Sequence, residues 1–225
     1  MEYGLRYRLV GVWLVLVFSV APWVMAEKAP ADAYSLVEKT TNRVMEIVKA
    51  APAGEDADLE EYYAQLQEVL EEVVDFSAFA RAVMGPFAGR DYYRSLDAEA
   101  KARLRAQAER FTARVRVGLA RTYGKGLLAF GGSRAEVQRS ANVANDSGKI
   151  SVTQHIYRGS REPYVIRYQM RRNRAGQWKL RNLIVESINL GQIYRNQFQA
   201  AARDAGGDLD QVIDNWSAVE VSGQQ

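Results

Sequence analysis

Three runs between residues 148 and 187 alternate apolar and polar positions with a period of two. They read KISVTQHIYR, PYVIRYQMRR and WKLRNLIVES, and the turns GSRE and NRAGQ separate them. This pattern predicts an antiparallel β-meander. One face carries Val152, Ile156, Ile166, Tyr168, Met170, Trp178, Leu180 and Ile184. The other carries Ser151, Thr153, His155, Arg167, Gln169, Arg171, Lys179 and Arg181. A weaker strand over residues 135–145 precedes them, joined by a hairpin turn at 145–148. A sheet divided in this way has to cover its apolar face.

The cover comes from stretches with helical spacing. Residues 31–51 form an amphipathic helix with Asp32 as its N-cap and a stripe of Leu36, Thr40, Val44, Ile47 and Val48. Asp58 opens a second helix, with Leu59, Tyr62, Leu66, Val69 and Val73 on one side and five glutamates on the other. Asp75 opens a third, with Phe76, Phe79, Ala80 and Val83 together, and Met84-Gly85-Pro86 ends it. Residues 87–94 read as a loop or a short helical turn. Asp97 caps the longest helix, residues 98–123, whose stripe is Leu104, Ala108, Phe111, Val115 and Leu119. Gly124-Lys125-Gly126 reads as its stop. After the meander, Ser187 reads as the cap of a helix over 188–205, and Asp208 starts a last short helix. Helices, then about four antiparallel strands, then helices define an α+β fold with the helices on one sheet face. The helical half supplies Phe76, Phe79, Val83, Met84, Phe111, Val115, Leu119 and Tyr123 against that face. Periodicity alone does not separate a filled core from a hollow one.

Composition changes this picture at the N-terminus. Arg6 and Arg8 precede an apolar run from Leu9 to Val20, and Val24-Met25-Ala26 offers a small-x-small cleavage site. Residues 1–26 are therefore expected to be a signal peptide cleaved after Ala26, a retained anchor being the alternative. That leaves residues 27–217 as a single domain and 218–225 as a tail. The leader takes Glu2 with the two arginines, and the formal charge falls from +3 to +2. The charges are uneven: the chain from Arg103 onward is rich in arginine, and residues 55–75 are acidic. Two solvated faces of opposite sign are one reading, and a basic surface for an anionic partner is the other.

Candidate chemistry is sparse. The chain has no cysteine, so disulfides and thiolate metal sites are excluded, and one histidine, His155, lies on the polar strand face. Nucleophile-elbow, phosphate-loop and dinucleotide motifs are absent. Asp75, Asp91 and Glu186 are the carboxylates nearest apolar runs, and each has a simpler structural role. Near-neutral charge and export also argue against nucleic acid, although Tyr157, Tyr164 and Tyr168 lie near arginines.

Three blocks carry a family resemblance. Val83-Met84-Gly85 is followed by Tyr92-Tyr93 and the Ser95 to Asp97 helix start. The long helix with Phe111 runs into Tyr123-Gly-Lys-Gly. WKLRNLIVESINL, from Trp178 to Leu190, precedes Tyr194, Gln197 and Phe198. In these the chain resembles the MlaC/Ttg2D toluene-tolerance family, the periplasmic phospholipid-binding component of the Mla transport system. It departs at Met84, where the family often has Leu, and in an insertion-like segment at residues 52–57. The resemblance implies a non-enzymatic lipid carrier with no cofactor beyond its bound phospholipid, and the lack of a heptad or unusual apolar edge in the sequence points to a monomer. Such a protein holds acyl chains in an apolar pocket between a curved sheet and helices. Its implied partners are an outer-membrane lipoprotein–porin complex and an inner-membrane ABC transporter with an MCE-domain subunit, and its implied task is to maintain outer-membrane lipid asymmetry. The sixteen apolar residues named above for the sheet face and the helical half would line that pocket. Trp at Val152 or Ile166 should then block carriage and spare the fold. An enzyme on a ketosteroid-isomerase-like scaffold and a ligand-free adaptor are the rival expectations.

Overall fold

A computed structural model describes residues 32–54, 57–131, 133–139, 148–159 and 162–217. The leader, the tail and the turn at 145–147 lie outside the described residues. Helix α1 (Ala33–Ala50) starts where the Asp32 carboxylate accepts a hydrogen bond from the Ser35 amide at 2.7 Å. Helix α2 (Glu60–Val73) has Leu59 at the N-cap position, and Asp58, one residue earlier, accepts from the Glu60 amide at 3.0 Å. Asp75 caps α3 (Phe76–Met84) by accepting from the Ala78 amide at 2.9 Å. A 3-10 turn (Gly85–Ala88) and the short helix α4 (Arg90–Ser95) fill the stretch that read as a loop or a short helical turn, which resolves it as helical. Asp97 caps α5 (Ala98–Leu127), accepting from the Ala100 amide at 2.7 Å.

Helix α5 does not stop at Gly124. It runs through Gly124-Lys125-Gly126 to Leu127, and the glycine has a packing reason. The Tyr62 hydroxyl donates to the Gly124 carbonyl at 2.7 Å. A Cβ at Gly124 would lie 2.9 Å from Leu66 Cδ1 and 3.0 Å from the Tyr63 ring. Gly124 therefore lets α2 approach α5 closely rather than ending the helix.

The sheet contains β1 (Arg134–Gln138), β2 (Lys149–Tyr157), β3 (Tyr164–Arg172), β4 (Trp178–Val185) and the two-residue β5 (Ile188–Asn189). All neighbours are antiparallel, in the order β1-β2-β3-β4-β5. The fifth strand arises because the chain reverses at Glu186, with φ of 55°, so that Ile188 pairs with Val185. Helix α6 (Leu190–Asp204) consequently starts at Asn189, whose side chain accepts from the Gln192 amide at 3.1 Å, and not at Ser187. Asp208 caps α7 (Leu209–Asp214) as expected.

A bulge changes the faces of β4. Gln169 faces Asn182 and Met170 faces Leu180, which leaves Arg181 as an extra residue. Beyond it the alternation flips. Leu183 stands opposite Tyr168, and Val185 opposite Ile166, on the apolar face. Ile184 stands opposite Arg167, so its expected place on the apolar face is corrected to the polar one. The bulge sits where the chain entering α3 meets the sheet. Val74 forms a bridge to Leu180, the Asp75 amide donates to the Leu180 carbonyl, and Arg181 pairs with the Asp75 carboxylate at 3.1 Å.

Candidate functional site

Among the described residues, the buried apolar side chains group into three clusters rather than one core. In the first, α3 and α5 bring Phe76, Phe79, Val83, Met84, Phe111 and Val115 together, as the helical periodicity requires. Their main partners are Tyr194 and Phe198 of α6, with α7 and Trp216. The Phe111 ring lies 4.9 Å from Phe198 and 5.0 Å from Trp216, the latter edge-on, an arrangement that aromatic quadrupoles favour. Leu119 and Tyr123 pack on this cluster while remaining half-buried.

The second cluster holds most of the sheet residues. Val152, Met170 and Trp178 are buried there with Tyr168 and Leu180 against them, and the cover is α1, through Ala33 and Val37. The structure therefore divides the residues expected to line one pocket between two apolar groups. Ile166 is half-buried and belongs to neither; Ile156 is buried and also belongs to neither. A third, smaller cluster joins α1, α2 and the end of α5 through Val48, Tyr62 and Leu66.

The link between sheet and helical layer is the segment after the bulge. Leu183 and Val185 of β4 and Ile188 of β5 pack on the first cluster while half-buried, as do Leu119 and Tyr123 of α5. Strict alternation missed Leu183 and Val185. The uninterrupted apolar run Leu183-Ile184-Val185 was the available signal, since such a run fits either phase.

Two polar features sit in these apolar surroundings. Gln154 is 1% exposed, lies in phase with Val152 and Ile156, and was also missed. It donates to the Thr41 hydroxyl at 2.9 Å and accepts from the Tyr168 hydroxyl at 2.7 Å, so its burial is satisfied. The exception it makes to the alternation was visible in the sequence. Between α5 and α6 the Tyr123 and Tyr194 hydroxyls lie 2.9 Å apart. Burial is the main cause that pushes both phenols above their ordinary range, and both are neutral at physiological pH.

The candidate acids have structural roles. Asp75 caps α3 and pairs with Arg181. Asp91 is exposed and lies 3.7 Å from Arg94. The Glu186 carboxylate accepts from the Val165 amide at 2.6 Å at the β5 turn. His155 stands opposite Glu136 and Val165 across the strands. Among the described residues, no cluster of His, Cys, Asp and Glu could hold a metal ion, and no helix is long and apolar enough to cross a membrane.

The uneven charges meet one another. Arg121 binds both oxygens of Glu60, at 2.9 and 2.6 Å, and Arg116 lies 3.5 Å from Glu71, strapping α5 to the acidic side of α2. Arg110 reaches Asp210 at 2.5 Å and Asp214 at 2.6 Å, strapping α5 to α7. Hydrogen bonds from Gln107 first, then from Arg110, hold the Asp210 carboxyl below the usual carboxylate range.

The architecture is that of an α+β protein whose open antiparallel sheet meets a helical layer along half-buried apolar positions. Comparisons with known proteins narrow this class. The MlaC protein family model matches residues 38–218, and the chain belongs to that family. It is 28% identical over 212 residues to the toluene tolerance protein ttg2D of Pseudomonas putida, covering 94% of this chain and 91% of that one. A phospholipid-binding protein from Ralstonia solanacearum, solved in complex with a phospholipid, has a similar fold. The TM-score is 0.61 at 19% identity, over 82% of this chain and 98% of that chain.

Proposed function

We propose that this chain is a phospholipid carrier of the periplasm, exported by the leader at residues 1–26 and acting as one domain over residues 27–217. Membership of the MlaC family over nearly all of that span carries the reading. The half-buried residues Leu119, Tyr123, Leu183 and Val185, with Ile166 nearby, support it. On this reading they would offer an apolar wall to the acyl chains, with the headgroup left in water. Each CH₂ taken from water gains about 0.8 kcal/mol, so a two-chain lipid does not cross an aqueous space free. Transfer from bilayer to apolar wall is nearly neutral, as reversible carriage requires. The carrier would exchange cargo between an outer-membrane lipoprotein–porin complex and an inner-membrane ABC transporter with an MCE-domain subunit, maintaining outer-membrane lipid asymmetry. It uses no acid–base step, in keeping with the structural roles of Asp75, Asp91 and Glu186. Native mass spectrometry of protein taken from bacterial periplasm, followed by lipid extraction, tests the reading. One phospholipid per protein is expected, and protein that is consistently empty would overturn it.

A further inference from the structure

A groove of about 510 Å³ lies on the surface between the α3–α4 connection and α6. Its floor is small: Ala82, Gly85, Pro86, Ala88 and Gly89. Arg81, Arg195 and Gln199 form the rest, and no carboxylate lines it. The Arg195 Nε donates to the Ala82 carbonyl at 2.9 Å, which orients the guanidinium and leaves its two terminal nitrogens without a partner among the described residues. Neither the Arg81 nor the Gln199 side chain has a hydrogen-bond or ion-pair partner among the described residues. On α5, by contrast, Arg110 meets Asp210 and Asp214 of α7, and Arg116 and Arg121 meet Glu71 and Glu60 of α2.

Gly85 explains the shape. Its φ of 59° turns the chain out of α3, and a Cβ there would lie 3.0 Å from the Gln199 amide nitrogen. The floor therefore stays low beneath the donors. A planar guanidinium held at Nε presents a two-pronged N–H edge that matches the oxygens of a phosphate. The groove is larger than a bare phosphate ion needs and leaves room for a polar substituent.

We infer that this groove binds a phosphate ester, held by Arg195 and Arg81 with the Gln199 amide beside them. Phe87, in the 3-10 turn, and Phe198 of α6 put the aromatic cluster behind it, with ring centroids 6.2 Å apart. Neither Leu119 nor Leu183 lines the groove, and the inference does not depend on the carrier reading. A membrane headgroup and a soluble phosphate ester share the required chemistry.

The test uses the mature chain with three probes: inorganic phosphate, glycerophosphoglycerol, and vesicles of phosphatidylglycerol in phosphatidylcholine. Binding is followed by amide chemical shifts near Gly85 and by vesicle cosedimentation. Saturable binding of at least one probe is expected. Arg195→Gln with Arg81→Gln should weaken it at least tenfold while the circular dichroism spectrum is unchanged. Saturable binding of glycerophosphoglycerol identifies a soluble ester as sufficient; binding of vesicles alone identifies a headgroup. Failure to bind any probe, or equal binding by the double variant, overturns the inference. Copurified phospholipid, measured on the same variant, reports on carriage separately.

Discussion

Tyr62 is 3% exposed, and burial, with Tyr63 close by, pushes its phenol up to about 12. Burial does the same to Tyr168. An unfolded tyrosine ionises near pH 10. Below that pH the buried phenols contribute their full stability. Above it the unfolded chain releases protons that the folded chain keeps, so stability falls as pH rises from about 10 to about 12. An ultraviolet tyrosinate titration should show a late-ionising class, and Tyr62→Phe should remove one member. Ionisation of every tyrosine near pH 10 in the folded protein would contradict this. The structure also sharpens the Trp substitutions. Val152 is 0% exposed beneath α1, so Trp there overpacks a filled cluster and costs about 1–3 kcal/mol. Ile166 is half-buried outside the clusters, and Ile166→Trp is the cleaner probe. It should keep a folded circular dichroism spectrum and lose copurified phospholipid; undiminished lipid would remove Ile166 from the wall. At this scale the caps Asp32, Asp75, Asp97 and Asp208 were legible, because a cap is written within three residues of itself. Gln154 was not, since its partner Thr41 lies 113 positions away.

Helix α5 shows how an element is misread when a local rule meets a distant neighbour. Gly124 looked like a stop because glycine is a poor helix former. The structure uses it to admit Leu66 and Tyr63. Gly124→Ala should therefore lower stability by about 1 kcal/mol or more, despite its better helix propensity, and shift the urea midpoint downward. An unchanged or raised midpoint would mean that α2 moves aside at no cost. Helix α7 is held through Asp210, and the sign of its pH dependence follows from the depressed carboxyl. The contribution is present above the usual carboxylate range and is lost as pH falls from that range through the depressed folded value. Amides of α7 should exchange faster in Asp210→Asn at neutral pH, while those of α3 stay protected. The meander itself was legible from alternation. Its bulge was not, because Arg181 is set by the Val74 bridge and the Asp75 carboxylate, contacts that no strand period encodes.

For the whole molecule, the layered α+β plan was legible because each layer has its own period. The division of its interior was not. One apolar sheet face facing one set of aromatic helices suggests a single core, yet α1 covers Val152 and Met170 while α6 and α7 cover Phe111. A single close-packed core resists any local change in volume, since displacement of one side chain strains its neighbours. Here β4 serves both groups, with Trp178 and Leu180 in the α1 cluster and Leu183 and Val185 packed on the α3–α5–α6 cluster. A change of volume in one cluster therefore reaches the other along this strand, as a shift in one room reaches the next through a party wall.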